Sequence, residues 1–261
     1  MEYSEGYVAF IDILGFSNYV AEKQNAEKVA KLFSFVDKFC HLFNTSEYLG
    51  IHVSFFSDSI VLSTDEFVNL IVPIYIAEEY LKKELKLLFR GGITKGQYFF
   101  SEGVTFGPAV VSAYRLEKEA YYSRILIDKK IIDENTNSGL EIYCDIDGKW
   151  CLNLSSLIVF EETSFGIEGE GYPDGDPGDI IRGIFKRNRD SILESIAVHI
   201  GTPVVEKYIW RVRQFNYTCK QYAENPAVIP MFKSLNYEPP EDFCKALLDL
   251  RINNVDYESE F

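Results

Sequence analysis

Apolar and polar positions fall into blocks along this chain, and the blocks predict its elements. Tyr7 to Ile13 is almost continuously apolar, as in a strand covered on both faces, and Asp12 interrupts it. Gly15 lets the backbone turn. Phe16 to Lys23 and Ala26 to Phe43 then read as helices, the second with Val29, Leu32, Phe33, Val36 and Phe39 at helical spacing. Asn44 to Tyr48 is a polar break. Leu49 to Phe55 and Ser59 to Ser63 read as strands joined by Phe56-Ser57-Asp58, a hairpin with Asp58 at its tip. Asp65 is placed to cap a helix from Phe67 to Lys86. Leu88 to Gly96 returns as a strand, and Tyr98 to Phe106 is an extended arm turning at Glu102-Gly103. Gly107-Pro108 opens a further helix, since proline is tolerated at a first helical position. That helix carries Val110, Val111, Ala113, Arg115 and Leu116, and Arg124 to Asp128 is a short strand. Strand, helices, hairpin, helix, strand, helix, strand is the succession of a ferredoxin-like α+β core.

Beyond Asn135 the pattern changes. Glu141 to Asp145 and Trp150 to Leu154 predict a hairpin around Asp147-Gly148. Glu168 to Asp179 is rich in glycine, proline and acid; it does not match an EF-hand loop and reads as an exposed, solvated loop. Ile180 to Ile200 and Pro203 to Ala223 predict a helical pair, with Ile184, Ile192, Ile196, Val205, Ile209 and Val212 among its apolar positions. Pro239 to Leu250 predicts a last helix before an acidic tail, Asp256 to Phe261.

With 261 residues, 47% of them hydrophobic, the chain can bury a sizeable core. Its formal net charge of -14 makes nucleic acid and anionic membranes poor partners. The cysteines, Cys40, Cys144, Cys151, Cys219 and Cys244, are odd in number and form no CxxC pair, so they read as reduced cytosolic thiols. The start lacks the basic and apolar regions of a signal peptide. The apolar run Phe67 to Ala77 is too short to span a bilayer, so no transmembrane segment is expected. His41, His52 and His199 are scattered and read as structural residues.

Candidate chemistry begins at Asp12. A carboxylate in an apolar strand is expensive unless paired, and a divalent cation is one good partner. Amides freed at the Gly15 turn suit phosphate oxygens. Asp12 and Asp58, on neighbouring strands, can share two divalent cations and serve an in-line displacement at phosphorus. Arg115 supplies either a fixed positive charge to such a transition state or a surface ion pair with Glu117 or Glu119.

FIDILGFS, FFSDSIVLS, RGGITKG and GVTFGPAVVSAYRLE follow one another over roughly Tyr7 to Asp128. In this the chain resembles the class III nucleotidyl cyclases. It is similar in particular to the bacterial pyrimidine cyclases of Pycsar anti-phage systems, which share the FSDS turn and a pattern like Lys207-Tyr208-Ile209-Trp210-Arg211 through Phe215-Asn216. The resemblance implies a cyclase catalytic core over 1–135. It implies the remaining strands of that domain and a C-terminal helical extension over 136–261. By resemblance Asp12 and Asp58 match metal-binding aspartates, with the carbonyl of Ile13, for two Mg2+ or Mn2+ ions. Leu14, Gly15, Phe16 and Ser17 match the loop around the triphosphate. Arg115 matches the catalytic arginine given by a partner subunit. Ser54 and Val104 match base-reading positions, and Val111 the position facing the ribose.

The implied activity is cyclisation of a pyrimidine nucleoside triphosphate, UTP ahead of CTP, to a 3′,5′-cyclic monophosphate and pyrophosphate. Implied with it are a cytoplasmic homodimer with composite sites and a separate effector that reads the product in anti-phage defence. The chain departs from the family pattern at Val111, where asparagine is usual, and at Gln97, where many members carry a phosphate-binding arginine. Lys149 is only a weak match to the family's late lysine. Two other readings stay open: a degenerate nucleotide-binding or dimerising module, and a purine nucleotide cyclase. A polymerase is disfavoured by the acidic charge, and a cyclic-dinucleotide synthase by the lack of a GGDEF-like turn.

Overall fold

A computed structural model of the chain describes residues 2–21, 26–45, 50–135, 142–145, 147–155 and 175–252. The chain divides into two compact units, residues 1–152 and 153–261. The first is built on one sheet. Its central strand, β1 (Ser4–Leu14), pairs antiparallel with β3 (Ser59–Thr64) on one side and β4 (Leu88–Ser101) on the other. β2 (Ile51–Phe56) lies outside β3. Helix α1 (Phe16–Ala21) and the longer α2 (Ala26–Asn44) separate β1 from β2. Helix α3 (Ile71–Glu84), entered through a 3-10 turn at Phe67–Leu70, separates β3 from β4. The order β2-β3-β1-β4 with these crossovers is the ferredoxin-like α+β arrangement.

The sheet continues past β4. β5 (Val104–Phe106) folds back on the far end of β4 through Glu102 and Gly103. Both turn residues have positive φ, +50° and +79°, as a tight two-residue hairpin requires. Helix α4 (Pro108–Glu119) crosses to β6 (Ile125–Ile127), which runs parallel to β4. After α5 (Lys129–Asn135), the hairpin β7 (Ile142–Cys144) and β8 (Trp150–Leu152) adds antiparallel to β6. The extended arm expected from Tyr98 is thus continuous with the strand before it, through Gly96.

Two local expectations differ from the structure. In α2 the buried stripe is Leu32, Phe35, Phe39 and Phe43, while Phe33 is 72% exposed and Val29 also faces outward. Val29, Phe33, Val36 and Leu42 flank that stripe, so spacing alone admits more than one. The stacking of Phe35 on Tyr80, ring centroids 4.3 Å apart, belongs to the one that is buried. Asp65 does not cap the following helix: its Oδ1 accepts the Tyr98 hydroxyl at 3.0 Å instead. Burial and then that bond hold the Tyr98 phenol well above its ordinary value.

The second unit is helical in its described part. α6 (Pro177–His199) and α7 (Val205–Glu224) pack together, Phe185 against the rings of Phe215 and Tyr222, and bury Ile181, Ile184, Ile209 and Val212. Asp176 caps α6 by accepting the Asp179 amide and also takes the Tyr237 hydroxyl. α8 (Pro230–Leu235) and α9 (Glu241–Asp249) complete it, with Asn216 of α7 exchanging hydrogen bonds with the backbone of Ile252. Most of the acidic loop expected over Glu168 to Asp179, much of the polar break after Asn44, and the acidic tail lie outside the described residues. Among the described residues no helix is long and apolar enough to cross a membrane.

Candidate active site

Strand alternation sends Tyr7, Ala9, Ile11 and Ile13 to one face of the sheet and Val8, Phe10 and Asp12 to the other. The register places Asp12 opposite Ser59 on β3 and opposite Arg90 on β4. Ser59 directly follows the turn Ser57-Asp58, where Ser57 takes a left-handed φ of +55°. The Ile13 amide donates to the Asp58 carbonyl at 2.7 Å, which closes the hairpin tip onto the end of β1. A residue in an antiparallel strand turns its N–H and C=O to the same neighbour, so the Ile13 carbonyl also addresses that turn. Gly15, at φ +81°, then ends β1, and the Tyr19 amide closes on its carbonyl at 3.0 Å. Asp12, Ile13, Asp58 and the Leu14–Ser17 segment are therefore gathered at one end of β1.

This donor set is two carboxylates and a backbone carbonyl, all hard oxygen. That chemistry fits Mg2+ or Mn2+, which are commonly held by one or two carboxylates with the remaining positions left to phosphates and water. No group of three or more His, Cys, Asp or Glu converges among the described residues, so phosphate oxygens would have to supply part of the coordination.

Helix α4 lies directly on β4. A Cβ at Gly92 would stand 2.6 Å from the Ala113 carbonyl oxygen and 2.8 Å from the Glu117 nitrogen, so only glycine admits the helix at this height. Thr94 Oγ1 ties the near end down by donating to the Ala109 carbonyl at 2.9 Å. Ala109, Ala113 and Glu117, four residues apart, face inward and are buried. Arg115 is exposed, and its expected ion-pair partners are engaged elsewhere: Glu117 with Arg90 and Lys118, Glu119 with Lys149. Two residues along a helix are turned by about 200°, so Arg115 points away from the side on which Glu117 reaches the sheet. One chain does not bring Arg115 to Asp12.

The remaining sequence-predicted residues separate into two groups. Ser54 is part-buried on β2, and its hydroxyl lies 2.8 Å from Thr105 Oγ1. Val104, beside Thr105 on β5, is 57% exposed, so alternation turns Thr105 and not Val104 to Ser54. Val111 is half exposed, one helical turn before Arg115. Gln97 is exposed opposite Glu5. Near Ser54, His52 stacks on Phe100 with centroids 4.2 Å apart, and burial lowers its pKa.

Three residues near the site had no role in it by sequence: Thr105, Arg90, and Glu117, which was expected only as an ion-pair partner of Arg115. Arg90 Nε lies 3.3 Å from Asp12 Oδ2 and 2.7 Å from Glu117 Oε1. Arg90 stood in plain view within RGGITKG, but its neighbours come from the β1–β4 register and the seating of α4, which are not local signals.

No family model and no curated protein matches the chain. Solved structures similar to it include the catalytic core of a rhodopsin-guanylyl cyclase with converted specificity in complex with ATPalphaS. That pair shares 15% identity over 58% of this chain and 97% of the other, with TM-score 0.43. The guanylyl cyclase domain of the RhoGC fusion protein from Blastocladiella emersonii gives 16% identity over 58% and 98%, TM-score 0.45. An adenylate/guanylate cyclase/hydrolase from Silicibacter pomeroyi gives 18% identity over 58% and 96%, TM-score 0.39.

Proposed function

We propose that this chain is a nucleotidyl cyclase that converts a pyrimidine nucleoside triphosphate, UTP ahead of CTP, to its 3′,5′-cyclic monophosphate and pyrophosphate. The observation that carries the reading is the closure of the Ser57-Asp58 turn onto the end of β1, which sets Asp58 beside Asp12 and both beside the Gly15 turn. In the reaction the 3′-hydroxyl gives its proton to water, its oxygen bonds to the α-phosphorus, the bond from that phosphorus to the bridging oxygen breaks, and pyrophosphate leaves with that oxygen.

Asp12, Asp58 and the Ile13 carbonyl would hold two Mg2+ or Mn2+ ions. When bound, such ions activate the attacking oxygen and neutralise charge on the phosphates. The backbone of Leu14 to Ser17 positions the triphosphate. Arg115 stabilises the charge that builds on the phosphoryl oxygens. Its outward face on α4 supports delivery to the site of a second copy, in a twofold homodimer with composite sites. The hydroxyl of Ser54, with that of Thr105 2.8 Å away, reads the base in place of the outward Val104, and Val111 bounds the ribose; short side chains with little hydrogen-bonding capacity favour a smaller ring. The cyclic product would act on a separate effector in anti-phage defence, with the enzyme in the cytoplasm.

The test is incubation of the protein with each of the four nucleoside triphosphates and Mn2+, with pyrophosphate and cyclic nucleotide measured separately. One cyclic pyrimidine monophosphate with matching pyrophosphate is expected. A tenfold preference for ATP or GTP would replace the pyrimidine reading by a purine one. Binding without any turnover would leave a nucleotide-binding or dimerising module.

A further inference from the structure

We propose that Arg90 is a positioning residue that restrains the Asp12 carboxylate and yields it to a divalent cation by withdrawing onto the buried Glu117. The proposal rests on the reading of Asp12 as a cation ligand. Arg90 and Asp12 are direct partners in the β1–β4 register, so their side chains share the face under α4. One guanidinium thus serves two carboxylates, one from the strand beside it and one from the helix above.

The two carboxylates are not equal. The Glu117 side chain is 0% exposed, and that of Asp12 is 16% exposed. A fully buried carboxylate without a cation is costly, whereas one at the open end of a strand can exchange one cation for another. The stronger claim on Arg90 is therefore that of Glu117. Gly92 lets the helix lie close on the strand and Thr94 ties it there, so Glu117 is held in place beside Arg90. The present contacts are close but poorly aligned: neither Arg90 Nε nor either Glu117 carboxylate oxygen makes a well-directed hydrogen bond. An arginine held at short range by two carboxylates, and optimally bonded to neither, is placed to move fully to one of them. Lys118 Nζ, 3.3 Å from Glu117 Oε2, is the other cation near this carboxylate. It is about half exposed and so contributes less than Arg90.

The experiment measures binding of Mn2+ alone, by loss of the free-ion electron paramagnetic resonance signal, in the full chain and four variants. Glu117→Gln removes the seat, leaves the whole charge of Arg90 on Asp12, and is expected to weaken Mn2+ binding at least tenfold. Arg90→Gln combined with Glu117→Gln keeps the buried volume, removes both charges, and is expected to bind Mn2+ at least threefold more tightly than the parent. This double variant remains informative if the single one fails to fold. Arg90→Lys keeps the charge but not the planar guanidinium whose Nε lies between the two carboxylates, and is expected to fall between parent and double variant. Asp12→Asn separates the two levels of inference. Parent-like Mn2+ binding by Asp12→Asn would overturn Asp12 as a ligand. Loss of binding in Asp12→Asn, with parent-like binding in the double variant, would overturn the role of Arg90 alone.

Discussion

Gly92 is the point at which a single methyl group should disturb both the fold and the proposed site. In Gly92→Ala the new Cβ meets the Ala113 carbonyl oxygen at 2.6 Å, the Glu117 nitrogen at 2.8 Å and Leu116 Cβ at 2.8 Å. None of these is the free end of a flexible side chain. Ordinary contact begins at 3.4 Å, so the gap of 2.6 Å must open by roughly 0.8 Å, and α4 must lift as a body. Overpacking of this kind destabilises by about 1–3 kcal/mol. For a unit of this size that is a fall in melting temperature of about 2–12 °C. The same lift loosens the bond from Thr94 to Ala109 and separates Glu117 from Arg90.

Because α4 also carries Arg115, a displacement approaching 1 Å should lower turnover on the order of 100-fold. Thermal unfolding followed by near-ultraviolet circular dichroism, with cyclase activity measured well below the transition, reads both effects. Gly183→Ala is the matched control. It lies inside α6, its added Cβ would come no closer than 3.5 Å to Arg187 Nη1, and it should stabilise by about 0.5–1 kcal/mol. A melting temperature for Gly92→Ala within about 1 °C of the parent would refute the argument that glycine seats α4, since the smallest expected shift is about 2 °C.

Asp58→Ala should lose turnover at least about 100-fold while the protein stays folded, because its side chain sits at a turn tip and serves the proposed cations; unchanged activity and unchanged Mn2+ dependence would remove Asp58 from the site. Mixed Asp12→Ala and Arg115→Ala chains, each inactive alone, should recover about a quarter of parental activity on free exchange, since half the dimers are mixed and each has one intact site; no recovery despite proven exchange would contradict composite sites. Burial pushes the thiols of Cys151 and Cys219 up to about 12, while Cys144 is exposed. A thiol reagent at neutral pH should therefore modify Cys144 rapidly and leave the buried pair unmodified until unfolding. Tyr98 has its pKa raised in the fold, so the stability it contributes is present below its ordinary value of 10.0 and is lost as pH rises beyond it. Urea midpoints should fall on the alkaline side, and less steeply in Tyr98→Phe.

The parts of the fold legible in the sequence are those decided locally. The Tyr7–Ile13 run, the Ser57-Asp58 turn and the Gly15 break fix where Asp12 and Asp58 stand along the chain, and the observed pairing sets Asp12 opposite Ser59 and closes the Asp58 backbone onto Ile13. What failed was decided by partners far away in sequence. The buried face of α2 was chosen among several apolar stripes by contacts such as Phe35 with Tyr80. Asp65 looked like a helix cap, and Tyr98 took it from 33 residues away. Val104 and Thr105 are adjacent, and which of them meets Ser54 depends on how β5 folds back through Glu102-Gly103. A one-residue change in that turn would exchange the two faces.

The same geometry explains why a helix with one buried carboxylate and one exposed arginine, two residues apart, sits over a strand that carries an aspartate. If Arg115 faced the sheet, Asp12 and Glu117 would have two arginines between them, and Asp12 would be neutralised with no part left for a cation. With Arg115 turned outward, Arg90 is the one guanidinium paired with these two carboxylates among the described residues; Lys118 stands at Glu117 and not at Asp12, so once Arg90 sits on Glu117 the charge of Asp12 is left uncompensated. A negative end attracts divalent cations, and an outward arginine is free to meet negative charge on another molecule. Both features follow from the turn of about 200° between Glu117 and Arg115. Shifting the register of α4 by one residue would therefore remove both at once. The lack of a side chain at residue 92 lets the helix lie close enough to the strand for Glu117 to reach Arg90, and that closeness is what makes its register matter.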